Sequence, residues 1–121
     1  MIADEYRNAM AAIKWGVEYF IKCHTSEYEF YGQVGETQKL NEYWGRPEDL
    51  PEVYDTRSFK CTTKKPCSDL LAETSAALAA ANVLFRGFDD VFAKKCLRHA
   101  IGTRALLIKM YSQFSSDAIK Q

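Results

Sequence analysis

Neither sign of charge prevails in this chain: sixteen lysines and arginines balance sixteen aspartates and glutamates, giving no net charge. Phosphate affinity needs a concentrated positive face. The nearest thing to one is Lys94, Lys95, Arg98 and Arg104, so nucleic acid is not an expected partner. Long apolar runs are also missing. Nothing approaches the ~20 residues that span a bilayer, and Asp4 and Glu5 stand where a signal peptide is basic and then apolar. Neither a membrane association nor an export signal is expected in this stretch. Cysteine is scarce and scattered: Cys23, Cys61, Cys67 and Cys96 form no C-x-x-C pair, and the two histidines, His24 and His99, lie near only Cys23 and Cys96 in sequence. Zinc requires tighter grouping, so no metal and no cofactor are expected. Burial is the default for scattered thiols, and a disulfide involving Cys61 or Cys67 stays open for a secreted protein. The 121 residues are 47% hydrophobic and 26% charged, which excludes disordered and fibrous classes and predicts one domain over 1–121.

What the sequence does have is a concentration of aromatics between helices. The stretch 30–48 contains Phe30-Tyr31-Gly32-Gln33-Val34-Gly35 and Tyr43-Trp44-Gly45-Arg46-Pro47-Glu48. Its glycines and proline cannot continue a helix, yet it has four large aromatics and both signs of charge. Aromatic faces beside hydrogen-bonding groups suit a sugar, which has an apolar C–H face and a rim of hydroxyls. The plainer reading is a long connection pinned to a helical core by Tyr31 and Trp44.

Helical spacing surrounds this stretch. Over 3–23, Tyr6, Ala9, Ile13, Val17, Phe20 and His24 recur at steps of three or four, and Ala12, Trp15 and Tyr19 form a second stripe. Arg7, Lys14, Glu18 and Lys22 mark a narrow wet side, so neighbours are expected on more than one face. The segment 46–68 reads as irregular, with short extended pieces near 30–34 and 57–61. More than forty residues of such chain is unusual inside a compact domain and points to function or to a larger scaffold. Ser68 and Asp69 open a second helix over 69–86, the serine as its cap. Its alanines permit close contact all round and predict an interior position. Gly87 ends it, and Asp89-Asp90 open a third helix over 91–114. Phe92, Cys96, Ala100, Leu107, Tyr111 and Phe114 are expected inward, Lys94, Lys95, Arg98 and Lys109 outward, and Gly102 weakens the middle.

The blocks Tyr19-Phe20-Ile21-Lys22-Cys23-His24, Phe30-Tyr31-Gly32-Gln33-Val34-Gly35, Tyr43-Trp44-Gly45-Arg46-Pro47-Glu48-Asp49, Pro66-Cys67-Ser68-Asp69-Leu70 and Ala72-Glu73-Thr74-Ser75-Ala76-Ala77-Leu78-Ala79-Ala80-Ala81 occur in that order. Together they resemble glycoside hydrolase family 9, the termite-like endo-β-1,4-glucanases above all. The resemblance implies an all-α fold, a partial (α/α)6 barrel with about three long helices and a long irregular region between the first and second. It also implies a β-1,4-glucan or cello-oligosaccharide as partner, an extracellular location, and hydrolysis with inversion by two carboxylates set far enough apart to admit water.

Carried over residue by residue, the resemblance is partial. The family's base lies in an Asp-Ala-Gly-Asp motif and its acid is a glutamate near the C-terminal end, and neither is matched here. The chain thus reads as a diverged or truncated internal piece with no catalytic residue of its own, and Glu73, Asp89 and Asp90 read as structural. Trp44 matches a cleft tryptophan, whereas Asn41 stands where the family has a histidine. Glu36-Thr37-Gln38 replaces Asp-Gly-Asp, Cys67 replaces the glycine of a Pro-Gly-Ser-Asp turn, and Thr56-Arg57 replaces Arg-Pro. The expected substrate-binding residues are Trp44, Tyr43, Asn41 and Tyr31. Three functions follow in order: a cellulase-family fragment inactive alone, a non-catalytic glucan-binding remnant, and a helical module that pairs or self-associates through apolar faces.

Overall fold

The computed structural model describes residues 2–49 and 57–119. Helix α1 (Ile2–Cys23) leads into strands β1 (His24–Ser26) and β2 (Glu29–Val34), the short helix α2 (Thr37–Glu42) and a 3-10 turn (Pro47–Asp49). Strand β3 (Ser58–Cys61) and the long helices α3 (Ser68–Phe85) and α4 (Asp90–Ile119) follow. The region expected to be irregular therefore contains a three-stranded antiparallel sheet in the order β1-β2-β3. The extended pieces near 30–34 and 57–61 are its β2 and β3. Residues 50–56 of the segment 46–68 lie outside the described residues.

Helices α3 and α4 form an antiparallel hairpin, and its turn is specified residue by residue. Gly87 takes φ +82, the left-handed conformation natural to glycine. Asp89 Oδ1 accepts from the Phe92 amide at 3.0 Å, the geometry of an N-cap, and Asp90 Oδ1 accepts from the Gly87 amide at 2.8 Å. The start of α3 differs from expectation. Its cap position is Cys67, with no side-chain cap, and Ser68 is already helical. The cause is covalent: Cys67 is disulfide-bonded to Cys61 at the end of β3, which fixes how the chain enters the helix.

Two apolar clusters hold the elements together. One packs Met10, Val17 and Ile21 of α1 against Leu78, Ala81, Phe85, Phe92 and Cys96 of the hairpin. The other packs Phe30 of β2 and Cys61 of β3 against Leu71, Leu106 and Met110. Polar groups buried in the hairpin are satisfied: Asn82 donates to the Ala93 carbonyl at 2.8 Å, and Thr103 to the His99 carbonyl at 2.9 Å. Lys14 bridges α1 to the hairpin turn, 2.7 Å from Asp89 Oδ2.

Several sequence expectations shift here. The buried face of α1 is Met10, Val17 and Ile21, so Tyr6 and Ile13 are exposed while Lys14 and Glu18, expected on the wet side, are half-buried. Helix α3 is not interior: Ala72, Ala76, Ala79 and Ala80 face outward. Along α4, Phe92, Cys96 and Ala100 are buried as expected, but Tyr111 is 73% exposed and Thr103, Leu106 and Met110 take the inward positions. The reason is that the neighbouring elements cover one face of each helix; periodicity shows where apolar side chains sit but not how many neighbours they have. The Phe114 side chain lies outside the described residues.

Candidate functional site

The aromatic loop hangs from β2. Within that strand the pairing runs Phe30 with Cys61 and Tyr31 with Lys60, then slips so that Gln33 faces Phe59. Gly32 is the extra residue of this bulge. A Cβ there would lie 3.0 Å from Leu70 Cδ2 and 3.1 Å from Cys61 Sγ, so glycine permits β2 to pass close to the disulfide and the start of α3. At the end of β2, Gly35 takes φ +80 and its amide donates to the Arg57 carbonyl at 2.8 Å. The Gln33 amide donates to the Gly35 carbonyl at 2.8 Å and to Thr37 Oγ1 at 2.6 Å, tying the strand to the first residue of α2.

Beyond α2 the chain makes a turn braced by its own side chains. Tyr43 folds over it, with its hydroxyl donating to the Arg46 carbonyl at 3.1 Å. The phenol fills the space a side chain at Gly45 would need, so the tyrosine and the glycine require each other. Arg46 Nε lies 2.8 Å from Asp49 Oδ2, and the Asp49 amide donates to the Arg46 carbonyl at 3.0 Å. On this frame Trp44 is 95% exposed. Burial does not account for a large apolar side chain in this position.

The four expected binding residues divide between two places. Asn41, exposed on α2, and Tyr43 and Trp44 on the turn belong to one local segment. Tyr31 belongs to the sheet, half-buried, with Lys60 Nζ 5.1 Å from its ring centroid. Lys60 also lies 3.2 Å from a Glu29 carboxylate oxygen, and hydrogen bonding with Tyr31 and Glu29 raises the ammonium above its ordinary range. An open depression of about 370 Å³ beside the bulge is lined by Gln33, Phe59, Lys65 and Asp69, among others. Among the described residues, no three metal-ligating side chains converge, and no helix is long and apolar enough to cross a membrane.

Sequence reasoning missed one constellation. His24 at the start of β1 meets His99 in the first half of α4, with their Nδ1 atoms 3.0 Å apart. Their separation of 75 positions leaves no local signal, because the pairing exists only once α4 has folded back along the sheet.

Comparison with known proteins places this geometry. The model of "Glycosyl hydrolase family 9" matches residues 2–120. Endoglucanase 15 of Oryza sativa subsp. japonica is 44% identical over 98 residues, covering 81% of this chain and 15% of the rice protein. Endoglucanase 19 of Arabidopsis thaliana is 42% identical over 96 residues, covering 79% of this chain and 15% of that protein. Among solved structures, the endoglucanase of the termite Nasutitermes takasagoensis is similar with a TM-score of 0.74 at 42% identity, over 84% of this chain and 23% of the termite chain. The cellulase Cel9M of C. cellulolyticum in complex with cellobiose gives 0.73 at 34% identity, over 83% of this chain and 23% of that one. The chain thus spans under a quarter of the solved structures it resembles, and its three long helices are part of an (α/α)6 barrel. Loop blocks, helix order and superposition agree: the chain belongs to glycosyl hydrolase family 9.

Proposed function

We propose that this chain is a portion of a family 9 catalytic domain that forms one wall of a β-1,4-glucan cleft, and that by itself it binds cello-oligosaccharide weakly without hydrolysing it. The observation that carries the reading is Trp44, 95% exposed on a turn held by Tyr43, Gly45, Arg46 and Asp49. In this reading the indole stacks on the C–H face of a glucosyl unit, Asn41 hydrogen-bonds its hydroxyls, Tyr43 holds the turn in shape and Tyr31 borders the groove. The cellobiose complex of the similar cellulase supports the substrate class. One stack of about 1–3 kcal/mol corresponds to millimolar affinity at best. No Asp-Ala-Gly-Asp run occurs among the 121 residues, which supports the non-hydrolytic half of the proposal. The Cys61–Cys67 disulfide fits an oxidising, extracellular setting.

Titration of the Trp15→Phe variant with cellohexaose tests this, since Trp44 is then the sole fluorophore of its type. A saturable fluorescence change in the millimolar range is expected in Trp15→Phe, and isothermal calorimetry, which needs no fluorophore, is expected to lose the binding in the Trp15→Phe/Trp44→Ala double variant. Undiminished calorimetric binding in the double variant removes Trp44 from the site. Sustained release of reducing ends from carboxymethylcellulose by the purified chain would overturn the non-hydrolytic half.

A second reading, a helical module that associates with other apolar helices, is favoured by a different observation. Trp15 and Val91 are 80% and 83% exposed, with Tyr19, Val83 and Ile101 also largely in water. Such a surface ordinarily marks an interface. Sedimentation velocity separates the two: a monomer at all concentrations removes the association reading and leaves the glucan reading untouched.

A further inference from the structure

The two histidines that sequence reasoning left apart form a contact with a definite proton count. Their Nδ1 atoms are 3.0 Å apart, and the rings meet edge to face at 79° with centroids 5.1 Å apart. Two imidazole nitrogens bond to each other only when one bears hydrogen and the other a lone pair. A single proton therefore lies between the rings.

Burial decides which ring holds it. His24 Nε2 is buried and has no hydrogen-bond partner. The ring rests against Gly102, where an added Cβ would lie 2.5 Å from Cε1 and 3.2 Å from Nε2. A buried N–H without an acceptor is rarer in proteins than an under-satisfied acceptor, so Nε2 is the bare lone pair. The proton of His24 then sits on Nδ1 and is donated to His99 Nδ1, and His99 keeps its own proton on Nε2.

We propose that this pair is an acid-sensitive latch: while neutral it ties the first residue of β1 to the first half of α4, and one further proton destabilises that junction and loosens the β1–β2 hairpin. The added proton has two places to go. On His99 Nδ1 it removes the acceptor, so two N–H groups point at each other. On His24 Nε2 it places a charged N–H in a closed site with no acceptor. The first outcome removes the bond; the second leaves Nδ1–H facing Nδ1 but buries a charged N–H without an acceptor, so either way the junction is destabilised.

The surroundings act in the same direction. Burial holds both rings below their ordinary range, and His99 also feels His24, Arg98 and Lys95 from its own helix. From β1, a backbone hydrogen bond with Ser26 opposes this at His24. Helix α1 ends in the buried thiol Cys23, next in sequence to His24. No carboxylate is among the groups acting on either ring. Because the folded values are lowered, the neutral pair is fully stabilising above the unfolded value near 6.5 and its contribution is lost as pH falls below it. Lys109, 3.5 Å from the Tyr28 ring centroid, is a second tie between hairpin and α4 that involves no histidine.

The test needs no glucan and so stands apart from the cleft reading. Long-range ¹H–¹⁵N spectra of the whole chain at pH 7.5 are expected to show His24 protonated on Nδ1 and His99 on Nε2. Finding both rings protonated on Nε2 overturns the proposal without any mutation. Hydrogen exchange, corrected for intrinsic rates, is expected to show amides 24–31 losing at least tenfold protection between pH 7.5 and pH 5.5. In the His24→Gln/His99→Gln double variant, which has no titrating ring at the junction, that loss is expected to vanish. Equal protection at the two pH values, or the same loss in the double variant, sinks the latch; if the double variant does not fold, the wild-type spectra and exchange decide.

Discussion

Trp44 and Gly102 show at the scale of single residues how surroundings overrule residue type. An indole ordinarily stabilises by burial, but Trp44 lies almost wholly in water. Trp44→Ala is therefore expected to change unfolding free energy by less than about 0.5 kcal/mol in urea titrations, while removing the glucan response. Gly102 runs the other way. In an exposed helix interior, glycine to alanine gains about 1 kcal/mol from propensity, but here the new methyl would fall 2.5 Å from His24 Cε1. Overpacking of that kind costs about 1–3 kcal/mol, so steric conflict wins. Gly102→Ala is expected to destabilise by about 1 kcal/mol and to shift the His24 ring resonances; a stabilised variant with unmoved resonances would contradict the contact. Asp89 carries a sign for acid behaviour. Hydrogen bonds from Lys14 and the Phe92 amide hold its carboxyl below the ordinary value of 3.8. Its contribution is thus present above that value and lost as pH falls beneath it, a window well below that of the histidines. Asp89→Asn is expected to lower the melting temperature at pH 7 and to flatten its decline below pH 4.

Elements differ in how much of themselves they display in sequence. The α3–α4 turn was legible because Gly87 and Asp89 are local signals, each sufficient for its own conformation. The sheet was half legible. Phe30 faces Cys61 across a register spanning about thirty residues, and strands of three to six residues leave too little alternation to read. The start of α3 was misassigned to a serine cap for a related reason: a cross-link made in three dimensions decides it. This gives a test at the same scale. Closing a loop with sequence separation 6, the Cys61–Cys67 bond is expected to contribute about 2 kcal/mol through the unfolded state. Reduction should lower the urea midpoint of the wild type and leave the Cys61→Ser/Cys67→Ser variant unmoved; an equal shift in both would mean the reductant acts elsewhere.

For the whole molecule, the dominant feature is apolar surface without cover. Helix α1 has stripes on more than one side of its circumference, but only the side bearing Met10, Val17 and Ile21 is buried. The alanine-rich α3 turns four alanines outward. The chain covers 23% of the termite endoglucanase it resembles, and these faces stay largely exposed among the described residues. Exposed patches of this kind associate, so sedimentation is expected to show a weight-average mass that rises with concentration, and Trp15→Glu is expected to reduce that rise. A concentration-independent monomer would mean that the scattered apolar groups are too dispersed to act as a face.

The sequence by itself determined the helices, the family, and the loop that carries Trp44, because periodicity, turn residues and contiguous blocks are properties of neighbours along the chain. Only the tertiary structure decided which helix faces are covered, that Cys61 bonds Cys67, that Lys14 meets Asp89, and that His24 shares a proton with His99. Each of those joins residues that sequence does not place side by side. Their distance and burial, and hence their chemistry, exist only after the chain has closed.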